Sequence, residues 1–255
     1  MQELEGKTVL ITGATDGLGR ALAERVAGAG ADLILHGRSL ERGHRAMEEI
    51  AATTGNDRLE LATADLAELA QVENLAAGIG TDVPGGPERQ ESADGHELRF
   101  AVNYLAGYSL IRRLLPLLRD SAPARIVQVS SAGQAPIDFD DVMLERGYSG
   151  VQAYCQSKLA QIMFALDLAA ELDGSGVSST ALHPATYMPT KIVPAPTGSL
   201  AEGVEATFRL VADPGLAGVS GAYFNVTNEQ PAHPQAYDDD ARRRLRELSA
   251  ELTGA

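Results

Sequence analysis

The sequence predicts one α/β domain over residues 1–255, a doubly wound parallel sheet with helices on both faces. Three observations lead there. Short apolar runs alternate with longer helical patterns over short links. A glycine-rich turn joins the first strand to the first helix. The 255 residues suffice for one large core.

Residues 7–12 form a short apolar run ending at Gly13, the pattern of a buried strand. A helix follows over 18–29, and residues 32–36 make a second strand. Ser39 can cap a helix over 40–53 that Gly55 ends. Residues 58–63 read as a third strand, and Asp65 opens a helical stretch through Ala77. Glycines and prolines crowd residues 78–95 into a loop. A long helix is expected over 94–119, with Pro116 at a late kink or in its last turn. A strand at 125–130, an irregular stretch at 134–150, a helix over 150–172 and a strand at 177–183 follow. A proline-rich loop (184–198), a helix near 200–212 and a strand at 221–226 come next. The tail at 238–252 reads as a charged, exposed helix with acids near its start.

Composition narrows the function classes. With 21 Lys+Arg against 35 Asp+Glu the formal charge is −14, which argues against nucleic acid and anionic membrane surfaces as partners. The single cysteine, Cys155, excludes an internal disulfide framework. The five histidines show no ligand spacing, so no metal is expected. No apolar run approaches the ~18–20 residues of a membrane span, and no secretory pattern follows Met1. The expectation is a cytoplasmic protein.

The chemistry concentrates in a few segments. Gly13, Gly17 and Gly19 let the turn before the first helix approach a pyrophosphate at that helix's N-terminus; the bland alternative is a tight turn without a ligand. After the second strand, where an acid would bind a ribose 2′-hydroxyl, the chain has Arg38. That favours NADP(H), with NAD(H) possible, unless Arg38 is simply a surface arginine. Asp16, inside the turn, pulls the other way. Tyr154 and Lys158 lie four apart on one helix face. A nearby ammonium favours the phenolate and makes the tyrosine a usable acid/base, although such a pair also arises by chance. Ser130 and Ser131 end the preceding strand, at the end where parallel sheets bind ligands.

Taken in order, Thr12-Gly13-x-x-x-Gly17-x-Gly19, Asp65-Leu66, Asn103, Ser131, Tyr154-x-x-x-Lys158 and His183-Pro184 resemble the short-chain dehydrogenase/reductase family over nearly the whole chain. The 125–172 segment and Gly221-Ala-Tyr-Phe are similar to its retinol-dehydrogenase-like subgroup. The resemblance implies a Rossmann-like fold and a hydride exchange between NADP(H) and an alcohol/carbonyl pair. It implies Tyr154 as general acid/base, with Lys158 assisting it and binding the nicotinamide ribose. Ser131 would hold the substrate oxygen, and Asn103 a water linking Lys158 to solvent. Gly13, Thr15, Asp16, Gly17, Leu18, Gly19, Arg38, Asp65, Leu66, Ala77, Gly78, Pro184 and Thr190 would line the cofactor with Tyr154 and Lys158. Ala185 departs from the family's usual glycine. A homodimer or homotetramer through the long helices, and a small, lipophilic substrate under a lid at 184–198, complete the expectation.

One departure matters. The family's fourth strand ends in Asn-Asn-Ala-Gly, of which only Ala77-Gly78 remains, 13 residues after Asp65. That strand is expected to be shortened or substituted, with residues 72–77 standing in for it, or missing, in which case the first strand pairs directly with residues 125–130; rearrangement is favoured over a simple gap. A damaged relative that folds poorly is the third option. An impaired, dinucleotide-binding sensor or structural relative is the alternative function.

Overall fold

A computed structural model describes residues 3–69, 71, 87–190 and 195–255. Strands β1 (Thr8–Ile11), β2 (Asp32–Gly37) and β3 (Leu59–Thr63) pair in parallel in the order β3-β2-β1. Strands β4 (Ala124–Val129), β5 (Val177–His183) and β6 (Ala222–Asn225) form a second parallel ladder, ended by the antiparallel β7 (Asn228–Glu229). The helices are α1 (Gly17–Gly28), α2 (Leu40–Thr54), α3 (Ala106–Asp120), α4 (Gly150–Glu171), α5 (Leu200–Ala212) and α6 (Asp239–Thr253). A π-helical turn, Ala101–Leu105, leads into α3.

Local chemistry sets these boundaries. Asp16, Ser39, Ser149, Ser199 and Asp238 each accept a backbone N–H at a helix start, a cap worth about 1 kcal/mol apiece. Gly55 and Gly254 close α2 and α6 in the left-handed region, at φ 71° and 64°. Helix α4 is buried on most sides, because it lies between the sheet and α6.

One of the alternatives is ruled out, and one expectation needs correction. Strand β1 does not pair with β4: the strands form separate sheets. Among the described residues no strand pairs with the other edge of either. Both instead border a cleft of about 2130 Å³, which Asn103, Gly107 and Ile111 also line. The Ala77-Gly78 signature lies outside the described residues. The tail helix, in turn, is not simply exposed. Ala241, Leu245, Ser249 and Thr253 recur every fourth residue and are buried, and the Tyr104 hydroxyl meets Ser249 Oγ at 2.7 Å. Helix α6 thus covers part of α4 and of the π turn.

Helix packing joins the two sheets. Leu22, Ala23 and Val26 of α1 share a core with Val204 and Phe208 of α5. Arg25 stacks over the Phe208 ring, 3.6 Å from its centroid. On the opposite side Leu66, Val102, Ala106 and Leu110 pack with Leu10 of β1.

Candidate active site

The turn between β1 and α1 has the shape an anion needs. Gly13 and Gly17 have φ of 62° and 53°, and a Cβ on Gly19 would lie 2.5 Å from the Gly13 carbonyl oxygen. The backbone of this turn and the start of α1 therefore border the cleft closely. Asp16 caps the helix by accepting from Gly17 N at 2.9 Å. Its other oxygen pairs with Arg42 Nη2 at 3.0 Å, so the acid in the turn is matched by a cation. Thr15, Leu18 and Arg38 line the same cleft. Pro184 and Thr190 reach it from beyond β5, with the Thr190 methyl 3.4 Å from where a Gly17 Cβ would stand.

The second half of the site lies at the end of β4. Ser130 and Ser131 diverge there. Ser130 Oγ donates to the Lys158 carbonyl at 2.7 Å and is spent on holding α4 to the strand. Ser131 Oγ lines the cleft and accepts from Gly133 N at 3.0 Å. That bond uses an acceptor lone pair and leaves the hydroxyl proton to donate. Tyr154 faces the same space. Lys158 lies behind it, wholly buried, with Nζ donating to Val129 O at 3.0 Å and standing 5.5 Å from the Tyr154 ring centroid. Asn103, in the π turn, donates through Nδ2 to Ser157 Oγ at 3.0 Å, and Ser157 donates to Tyr154 O at 2.7 Å. Asn103 is thereby tied to the turn of α4 that carries Tyr154. A π turn at a functional residue is a recurring arrangement.

Not every expected residue reaches the cleft. Asp65 Oδ1 accepts from Ala67 N at 3.0 Å, and the Leu66 side chain belongs to the core; neither lines the cleft. Ala77 and Gly78 fall outside the described residues. Burial pushes the Cys155 thiol up, away from the thiolate. Burial also pulls His183 below its ordinary value, and its Nε2 meets Thr186 Oγ1 at 3.0 Å. Asp138, Asp140 and Asp141 form a built turn: Asp141 accepts from Glu145 N and Arg146 N, which hold its carboxyl below the usual range. Sequence reasoning missed Arg42 and Tyr223. The first could have been found, since it lies in the first turn of the helix Ser39 caps; the second stands in Gly221-Ala-Tyr-Phe, but its partner Ser131 lies too far away in sequence to be read from it.

The donor set and the open glycine turn fit a nicotinamide dinucleotide. At about 2130 Å³ the cleft exceeds the roughly 300–1,000 Å³ of ordinary ligand pockets. Among the described residues no group of His, Cys, Asp or Glu could hold a metal, and no helix is long and apolar enough to cross a membrane.

Comparison with known proteins agrees with this geometry. The family model described as short chain dehydrogenase matches residues 7–195. Retinol dehydrogenase 13 of Homo sapiens is 34% identical over 289 residues, covering 98% of this chain and 86% of the relative. Retinol dehydrogenase 11 of Homo sapiens is 31% identical over 282 residues, covering 99% and 87%. A solved structure of an uncharacterized protein from Mycobacterium Paratuberculosis has a TM-score of 0.77 at 28% identity, covering 98% of this chain and 94% of that one.

Proposed function

This chain belongs to the short-chain dehydrogenase family, NAD(P)-dependent oxidoreductases of CH–OH groups, and within it we propose an NADP(H)-preferring enzyme for a lipophilic alcohol or its carbonyl. One observation carries the reading: the Ser131 hydroxyl and the Tyr154 ring border one cleft, with the buried Lys158 ammonium behind the ring.

The residues at 13–19, with Arg38, Pro184 and Thr190, would hold the dinucleotide, which when bound supplies or takes up the hydride. Tyr154 gives its hydroxyl proton to the carbonyl oxygen in reduction and takes one from the alcohol in oxidation. Lys158 favours the phenolate that remains, by attraction across a water-poor interior. Ser131 donates to the same substrate oxygen and holds it within reach of Tyr154. Asn103 and Ser157 keep the tyrosine's turn in place. Arg38 and Arg42 support the NADP(H) preference, because a 2′-phosphate needs cations where a ribose hydroxyl needs an acid. Val151 and Tyr187, 71% and 64% exposed at the cleft, supply apolar surface for the substrate. Two relatives named for retinol, itself a lipophilic alcohol, point the same way.

Y154F tests the assignment. On aliphatic and retinoid carbonyls with NADPH, turnover should fall by about a hundredfold or more while NADPH binding persists. Undiminished turnover in Y154F refutes the role. Binding of NADPH by the wild type without turnover on any carbonyl would favour the sensor instead.

A further inference from the structure

The peptide after Ser131 lies beyond the last ladder position of β4, where a carbonyl would ordinarily turn to water. Here it is claimed twice from within the protein. Tyr223 of β6, nearly buried, donates its hydroxyl to Ser131 O at 3.0 Å, and Gln134 Nε2 donates to the same oxygen at 3.2 Å. Gln134 is itself held, because its Oε1 accepts from His233 N at 2.7 Å. Two residues on, Gln235 bonds both backbone groups of Ile137, at 2.7 Å and 3.0 Å. The segment at 230–237 is thus a strap lying along residues 134–137, anchored to β6 where Gln230 N donates to Tyr223 O at 3.0 Å.

Resting on the reading of Ser131 given above, we propose that Tyr223 and Gln134 are positioning residues that aim the Ser131 hydroxyl at the substrate oxygen. The two donors occupy both lone pairs of the Ser131 carbonyl and fix its peptide plane. The Gly133 N–H then fixes the side chain against that plane. With plane and side chain set, the hydroxyl proton is directed into the cleft. Burial pushes the Tyr223 phenol up to about 12, so it remains a donor throughout the range in which Tyr154 works.

A double-mutant cycle in the cofactor-loaded protein reads this directly. Y223F removes one hydroxyl and leaves the ring, and it should lower single-turnover reduction by about fivefold with NADPH affinity unchanged. In an S131A background the same substitution should change the rate by less than about 1.5-fold, since nothing is left to aim. An equal loss in both backgrounds overturns the proposal, because the effect then bypasses Ser131. No loss in either background also overturns it. If Y223F fails to fold, Q134A enters the same cycle with the same outcomes. Y154F in parallel separates two failures. Full turnover in Y154F refutes the assigned site, whereas an inactive Y154F with independent Y223F and S131A effects refutes only the positioning role.

Discussion

Substituting Gly19 by alanine tests whether the turn before α1 is built for close backbone approach. The new Cβ would lie 2.5 Å from the Gly13 carbonyl oxygen, 2.9 Å from its carbon and 3.0 Å from the Thr12 oxygen. All three are backbone atoms, so no rotamer can relieve the contact. Carbon–oxygen contacts normally begin at about 3.3–3.6 Å, so α1 must back away from the turn by roughly 0.8–1 Å. Overpacking on this scale costs about 1–3 kcal/mol. At about 2 kcal/mol, a chain of this size should lose about 4–8 °C in melting temperature. The same displacement moves the helix-start N–H groups off the phosphates, and NADPH should bind about tenfold or more weakly in calorimetric titration. Gly17 is the control with a different cause. A Cβ there meets only the Thr190 methyl, at an ordinary 3.4 Å, but the residue has φ of 53°. G17A should therefore cost about 1–2 kcal/mol of backbone strain. A G19A protein that melts within about 1 °C of wild type and binds NADPH equally well would refute the argument.

Three further outcomes follow from the same contacts. R42A removes the cation paired with Asp16, so NADPH affinity should fall about tenfold while NADH affinity changes little; calorimetry with both dinucleotides decides, and an equal loss for both refutes it. His183 is held below its ordinary 6.5 by burial. The unfolded chain therefore takes up a proton that the folded chain refuses, and stability present above about pH 6.5 is lost as pH falls below it. Thermal melts at pH 7.5 and 5 should show a smaller acid loss in H183Q than in wild type. Ser249 Oγ donates to Leu245 O at 2.6 Å, so the buried Tyr104 hydroxyl is the donor in their 2.7 Å bond. S249A should cost about 1–3 kcal/mol by orphaning that hydroxyl, Y104F clearly less, and the double variant no more than about Y104F alone. Urea unfolding giving the reverse order refutes the donor assignment.

The strands and helices were legible because their signals are local. Period, N-caps and closing glycines set nearly every described boundary to within a few residues. The tail helix misled because its signal is mixed. Charges at 238–247 mark a solvated face, while the stripe 241, 245, 249, 253 holds only one large apolar residue, Leu245. Packing against Tyr104 could not be read from a serine and a threonine. The site divides in the same way. Gly13 stands in a recognisable glycine turn, whereas Ser131, Tyr154 and Lys158 are singled out by the ordered resemblance to the family and not by spacing alone. Tyr223 stands 92 positions from Ser131, and only the fold, with β6 one strand beyond β5 from β4, lets its hydroxyl reach the Ser131 carbonyl.

The short stretch after Asp65 raised the question of whether the sheet could still assemble a site. The described residues answer through helices. The dinucleotide turn follows β1 of the β3-β2-β1 sheet, while Ser131 follows β4 of the β4-β5-β6 sheet and Tyr154 and Lys158 stand on α4 packed against it; β1 and β4 share no ladder with each other. Among the described residues, the halves meet through α1 on α5, the Thr190 methyl beside Gly17, and Leu66 and Leu10 against the helix that follows the π turn. Side-chain packing tolerates small sliding, whereas a ladder fixes register. Among the described residues, apolar contacts link the two halves, while hydrogen bonds orient the groups within each. In the catalytic half Ser130, Ser131, Lys158 and Asn103 are each hydrogen-bonded to another group of that half.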